Sequence, residues 1–121
     1  MERAHKKLDV WKESVALAVE IYHLTEAFPK AELYGLTSQM RRAAVSVPSN
    51  IAEGAGRSSS KEFLQFLVIA RGSLSELDTQ LEISRQLSYL SDDVSVKVDA
   101  QLNSIGAKLA GLMNHVRRSE E

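Results

Sequence analysis

Between Val94 and Val116, seven apolar residues (Val94, Val98, Leu102, Ile105, Leu109, Leu112 and Val116) recur at intervals of four or three. That spacing holds them on one side of an α-helix and would scatter them over both faces of a strand. A helix with so continuous a stripe gains roughly 1.5–3 kcal/mol per large apolar side chain only when the stripe is covered. The chain must therefore supply other helices to cover it, and three further segments have the same period. The first, about 10–27, has Asp9 placed to cap it and Phe28-Pro29 placed to end it. Trp11, Val15, Ala18 and Tyr22 form one apolar row on it, with Val10, Leu17, Ile21 and Leu24 beside them. The second, about 36–55, presents Leu36, Met40, Ala43, Val47 and Ile51, and Gly54-Ala55-Gly56 is expected to close it in the left-handed conformation. The third, about 60–89, opens on the capping-box pattern Ser59-Ser60-Lys61-Glu62 and presents Phe63, Phe66, Leu67, Ala70, Leu74, Leu77 and Leu81. Ser91-Asp92-Asp93 then starts the fourth, about 94–117.

Short connections between helices of this length favour antiparallel neighbours, so the expectation is an all-α, up-and-down four-helix bundle forming one domain over residues 1–121. Apolar residues are 44% and charged residues 26%, the balance of an ordinary globular protein. The absence of cysteine excludes disulfides, thiolate metal sites and cysteine nucleophiles. No run approaches the ~20 apolar residues of a membrane span. The polar start Met1 to Lys7 reads as no signal peptide, and a cytoplasmic location is expected by default. Fifteen basic and 16 acidic side chains leave a net charge of -1, so any polyanion must be met by a local patch.

The second helix departs from an ordinary bundle helix. Beside its core face runs a polar stripe, Arg42, Ser46, Asn50, Glu53 and Arg57. It reads either as a solvated face or as a partly buried network; the network is the expectation, with Glu53 compensated by Arg42 or Arg57 and with Ser73 and Glu76 of the third helix as partners. The side away from the core, Ser38, Arg41, Val45, Ser49 and Ala52, is small and nearly uncharged, where a solvent face normally carries several lysines and glutamates. It looks made to be covered. Pro48 sits within this helix, where it removes a backbone hydrogen bond. A kink is expected, with Ser46, Ser49 or Asn50 placed to satisfy the freed carbonyl. From Thr37 to Lys61, Arg41, Arg42, Arg57 and Lys61 stand against one acid, Glu53, a local excess suited to nucleic-acid phosphates.

Catalytic chemistry finds little support. Glu20 and His23 have the Glu-x-x-His spacing of di-iron bundles, but no second such pair exists and both project to solvent on a helical wheel. Gly54-Ala55-Gly56-Arg57-Ser58-Ser59 lacks the frame of a nucleotide-binding loop. No catalytic residue, metal site or cofactor is assigned.

The string from Gly35 to Gly54, GLTSQMRRAAVSVPSNIAEG, resembles the signature of the four-helix-bundle proteins of 23S ribosomal RNA intervening sequences, also called the S23 ribosomal protein family. Trp11, Ile21-Tyr22, Phe28-Pro29, Glu62-Phe63, Ala70-Arg71-Gly72-Ser73 and Glu76-Leu77 extend the resemblance over about Leu8 to Leu90. It implies a bundle that assembles into a homopentameric barrel. The similar accessory variability determinants of diversity-generating retroelements are strongly basic and bind nucleic acid and a reverse transcriptase; at -1 this chain lacks their basic character. The expectation is a non-enzymatic homopentamer that contacts RNA, or an RNA-linked protein such as a reverse transcriptase, through Arg41, Arg42, Arg57 and Lys61. The alternative is a protein-interaction scaffold that binds no nucleic acid.

Overall fold

Four α-helices and no strand make up the regular structure of residues 3–119, the residues that this computed structural model describes. They are α1 (Asp9–Thr25), α2 (Leu36–Ala55), α3 (Ser60–Gln86) and α4 (Asp92–Arg118), with short 3-10 helices at Ala4–Lys7 and Lys30–Glu32. Each helix packs on its neighbour in sequence, and α4 returns to α1, so the four close into a ring around one core. Side-chain contacts fix the directions. Arg41 at the start of α2 meets Thr25 at the end of α1. Ser84 near the end of α3 reaches Met40 near the start of α2, and Arg85 faces Asp92 across the α3–α4 turn. Successive helices therefore run antiparallel, and an even number of them brings both ends of the described chain to the same end of the bundle.

The helix starts follow local chemistry. Ser59 Oγ accepts from the Glu62 amide at 3.2 Å and faces the Glu62 carboxylate, closing a capping box. Ser91 Oγ accepts from the Val94 amide in the same way. Asp9 does not cap α1 as expected. It is the first helical residue, and the cap is Leu8, which makes no side-chain bond; a carboxylate in the first turn still opposes the positive end of the helix dipole. α1 stops at Thr25, short of 27. α3 stops at Gln86, short of 89, because Ser88 adopts φ 63° and the Tyr89 amide bonds back to the Ser84 carbonyl. That left-handed closure turns Tyr89 inward, where its ring meets Phe28 at 5.2 Å and its hydroxyl donates to Glu32.

The glycines after Ile51 serve another purpose than the one expected. Neither takes a positive φ, and α2 continues through Ala55. Gly54 is buried where α2 crosses α3: a Cβ there would stand 2.9 Å from Phe63 Cδ1 and 2.9 Å from Phe66 Cβ. Only a residue without a side chain lets the two helices come so close. Pro48 lies buried inside α2, which is assigned as one helix across it. The carbonyl that its missing amide leaves free belongs to Ala44, whereas the Asn50 amide goes to the Ser46 carbonyl at 2.8 Å.

α1 buries residues from both apolar rows of the sequence, more deeply from one of them. Its inward face is Val10, Ser14, Leu17 and Ile21, with Ser14 Oγ bonded to the Val10 carbonyl at 2.6 Å and so free of any buried polar cost. Of the neighbouring row, Ala18 is buried with the core, Trp11 and Val15 are half-buried, and Tyr22 is 41% exposed.

Candidate functional site: the faces of the second helix

α2 carries its candidate residues on three sides, and each side meets a different environment. Towards α3, Ser46 Oγ and Ser73 Oγ share a hydrogen bond of 2.7 Å, and Asn50 Nδ2 donates to Ser46 Oγ at 2.9 Å. These three partly buried groups satisfy one another across the closest helix pair, the arrangement in which a polar contact fixes helix register. Glu53 and Glu76 stand apart from these three. Glu53 is compensated by Arg57, one of the two partners expected for it, at 2.8 Å on the exposed surface at the end of α2. Glu76 accepts from Gln80 at 3.2 Å within α3.

The four basic residues fall into two pairs at opposite ends of α2. Arg41 lies over the Tyr22 ring at 4.6 Å while its Nε donates to Thr25 Oγ1 at 2.9 Å, so it fastens α2 to α1. Arg42 beside it is exposed. Arg57 stacks on Phe66 at 4.8 Å while paired with Glu53, and Lys61 is exposed in the first turn of α3.

The antiparallel topology gathers further charge around the second pair. Arg3, Lys6, Lys7 and Lys12 from the start of the chain, Arg57 and Lys61 from the α2–α3 turn, and Lys108, Arg117 and Arg118 from the end of α4 share one end of the bundle with four carboxylates, Asp9, Glu13, Glu53 and Glu62. Glu2, Glu120 and Glu121, adjacent in sequence, lie outside the described residues. The opposite end carries Glu26, Glu32, Asp78, Glu82, Asp92, Asp93 and Asp99 against Lys30, Arg41, Arg42, Arg85 and Lys97. Lys108 and Ser104 bind the Glu13 carboxylate and hold it below its ordinary range, with Lys108 first in weight, so α1 and α4 are tied at the basic end. Sequence reading did not find this segregation because a net charge sums the chain without regard to where the helices carry each residue. The even helix count was the available signal.

The third side of α2 faces outward beside α1. Val15, Ala18, Val19, Tyr22, His23, Val45 and Pro48 line an open groove of about 340 Å³. A second, lined by Leu33, Tyr34, Thr37, Ser38, Arg41 and Arg42, meets it at Tyr22. Val19 is 50% exposed, Val45 42% and Tyr34 94%, an unusual apolar strip for a face turned to water. Val45 and Ser49 are exposed, whereas Ser38, Arg41 and Ala52 are half-buried, Arg41 through its contacts with α1. His23 is exposed and lines this groove, whereas Glu20, expected to project to solvent, is half-buried. Among the described residues no cluster of histidines and carboxylates is arranged to hold a metal ion, and no helix is long and apolar enough to cross a membrane.

The family model described as 23S rRNA-intervening sequence protein matches residues 6–111. A crystal structure from Bacteroides thetaiotaomicron, described as a protein with unknown function from the S23 ribosomal protein family, aligns with a TM-score of 0.80 and 22% identity. The match covers 87% of this chain and 95% of that one, and at such identity it shows a shared fold. None of the curated proteins matches the chain.

Proposed function

The chain belongs to the 23S rRNA-intervening sequence protein family, and from that premise we propose that it is a non-enzymatic, cytoplasmic homo-oligomer, a pentamer, that holds structured RNA by its phosphates. The carrying observation is the outer α1–α2 face: apolar side chains at 40 to 50% exposure, with no carboxylate among the groove residues, form a surface that a second chain would cover. The RNA half is supported by the family description and by the basic end of the bundle. There Arg57 and Lys61 stand with arginines and lysines from both ends of the described chain, the residue types that position proteins on phosphate backbones. Arg41 and Arg42 lie at the other end of α2, in the groove that the second chain covers, and take no part in this phosphate contact.

Counterion release supplies the test. Binding to a structured RNA, followed by fluorescence anisotropy between 50 and 300 mM salt, is expected to fall on a log–log plot with a slope of about -0.7 to -0.9 per phosphate neutralised. Replacing Arg57 and Lys61 by alanine is expected to flatten that slope by about one to two units and leave assembly intact. Binding absent even at low salt, with the oligomer intact, would refute the RNA half and favour a protein-docking scaffold, whose partner would include an RNA-linked protein such as a reverse transcriptase.

A further inference from the structure

A second uncovered face lies on α3. Val68, Ile69, Gly72, Glu76, Thr79 and Ile83 share its outward side and are all exposed, Ile69 at 51% and Ile83 at 46%. A surface helix normally carries several charges on such a side, and among these six residues Glu76 is the only one. Gly72 adds an independent indication. Glycine in a helix interior weakens the helix relative to alanine, yet nothing lies within 4 Å of a Cβ built at Gly72. No contact among the described residues requires the glycine, and its open position leaves room for close approach from outside.

From these two faces we infer that the α3 ridge of one copy seats in the α1–α2 groove of the next copy, with all copies pointing the same way. The inference rests on the homo-oligomeric reading above and names the surfaces that such an assembly uses. Charge and height agree along the two faces. The groove is lined by His23, Arg41 and Arg42 and by no carboxylate, while the ridge offers one carboxylate, Glu76. The Ser46–Ser73 bond sets those two residues level. Counting from it along antiparallel helices, at about 1.5 Å per residue, and from the Arg41–Thr25 bond across to α1, Glu76 stands within a residue of Arg42, Ile69 level with the Val15–Val19 turn, and Ile83 level with Leu36, just after Leu33 and Tyr34. Each face thus runs apolar, charged, apolar, with opposite signs at the middle. The two faces belong to different sides of the bundle, so the contact is heterologous. Repeated contacts of that kind close into a ring when the rotation allows, whereas a two-fold dimer joins one patch to itself.

The chain has no cysteine, so introduced thiols are unique reporters. Val19→Cys and Ile69→Cys variants, co-expressed and treated with a short bis-maleimide, are expected to give covalent dimers in the mixture and none in either variant alone. The double variant is expected to give a ladder that stops at the ring number. Covalent dimers from Val19→Cys alone would overturn the inference in favour of a two-fold contact. An oligomer by light scattering with no crosslink in the mixture would show that other faces are used and leave the assembly reading standing. A monomer by light scattering would remove both. Charge reversal gives a second readout: Glu76→Arg or Arg42→Glu alone is expected to raise the dissociation midpoint about tenfold, and the two combined to restore it. Failure of the pair to restore assembly, with helical circular dichroism unchanged, would overturn the predicted register.

Discussion

Two grooves run between helices of this bundle, and they differ in what lines them. The one between α3 and α4, about 490 Å³, is bordered by Asp78, Glu82, Asp92 and Asp99 with Arg85 among them. The one between α1 and α2 is bordered by valines, Tyr22, Ala18 and Pro48. Carboxylates hold water, and covering them without partners costs several kcal/mol, so the α3–α4 side is suited to remain wet. The α1–α2 side carries His23, Arg41 and Arg42 but no carboxylate, so covering it calls for an acidic group opposite the arginines. A bundle can thus be uniform inside and yet assign its outer seams to different tasks.

Substitution of both Val19 and Val45 by aspartate tests that contrast most severely. The account predicts conversion of the oligomer to monomers with helical content retained, because both residues are substantially exposed in the single chain. Val96→Lys in the acidic groove, at a residue 71% exposed, is expected to leave the mass unchanged. Equal sensitivity of both grooves by light scattering would erase the distinction between them.

Next in size is the seam that carries the α1–α2 face. Gly54→Ala places a methyl 2.9 Å from two phenylalanine atoms and is expected to cost about 1–3 kcal/mol by denaturant unfolding. Gly106→Ala, on the α3–α4 seam, meets only Leu74 Cδ2 at 3.8 Å. It is expected to gain up to about 1 kcal/mol from helix propensity. Similar losses at the two glycines would show that the α2–α3 approach is no tighter than the α3–α4 approach.

The smallest effect is electrostatic and belongs to the wet groove. Arg85 first, then Gln86, binds the Glu82 carboxylate and lowers it from 4.5 to about 2. A depressed carboxylate contributes stability above its unfolded value and loses it on acidification. The contribution is therefore present at neutral pH and fades as pH falls from about 4.5 towards 2. A carboxyl NMR titration is expected to find Glu82 low in the unmodified protein and back near its ordinary value in Arg85→Ala.

Much of the fold was legible because helical period is local. The stripe of α4, the capping box at Ser59 and the serine cap at Ser91 depend on residues within a turn of one another. The face of α1 was not legible for the same reason. With apolar residues on two adjoining rows, periodicity marks a helix without saying which row turns inward. The true inward row hides a serine whose hydroxyl is satisfied by its own helix. Gly54 misled because a glycine near a helix end usually closes it, whereas here its role is set by Phe63 and Phe66 in the next helix. Of the candidate site, Ser46, Asn50 and Ser73 meet as the helical wheel suggested. Glu53 takes Arg57, one of the two partners expected for it, whereas Glu76 turns to Gln80 four residues along its own helix, a choice that helix geometry permits equally well. The division of Arg41 and Arg42 from Arg57 and Lys61 was in the residue numbers, since about sixteen residues of helix span roughly 24 Å.

The central claim is that the α1–α2 face is covered by another copy of the same chain. Native mass spectrometry at micromolar concentration tests it directly. The account predicts a single dominant species at five times the 13.4 kDa chain mass, and a spectrum dominated by the 13.4 kDa monomer would contradict it.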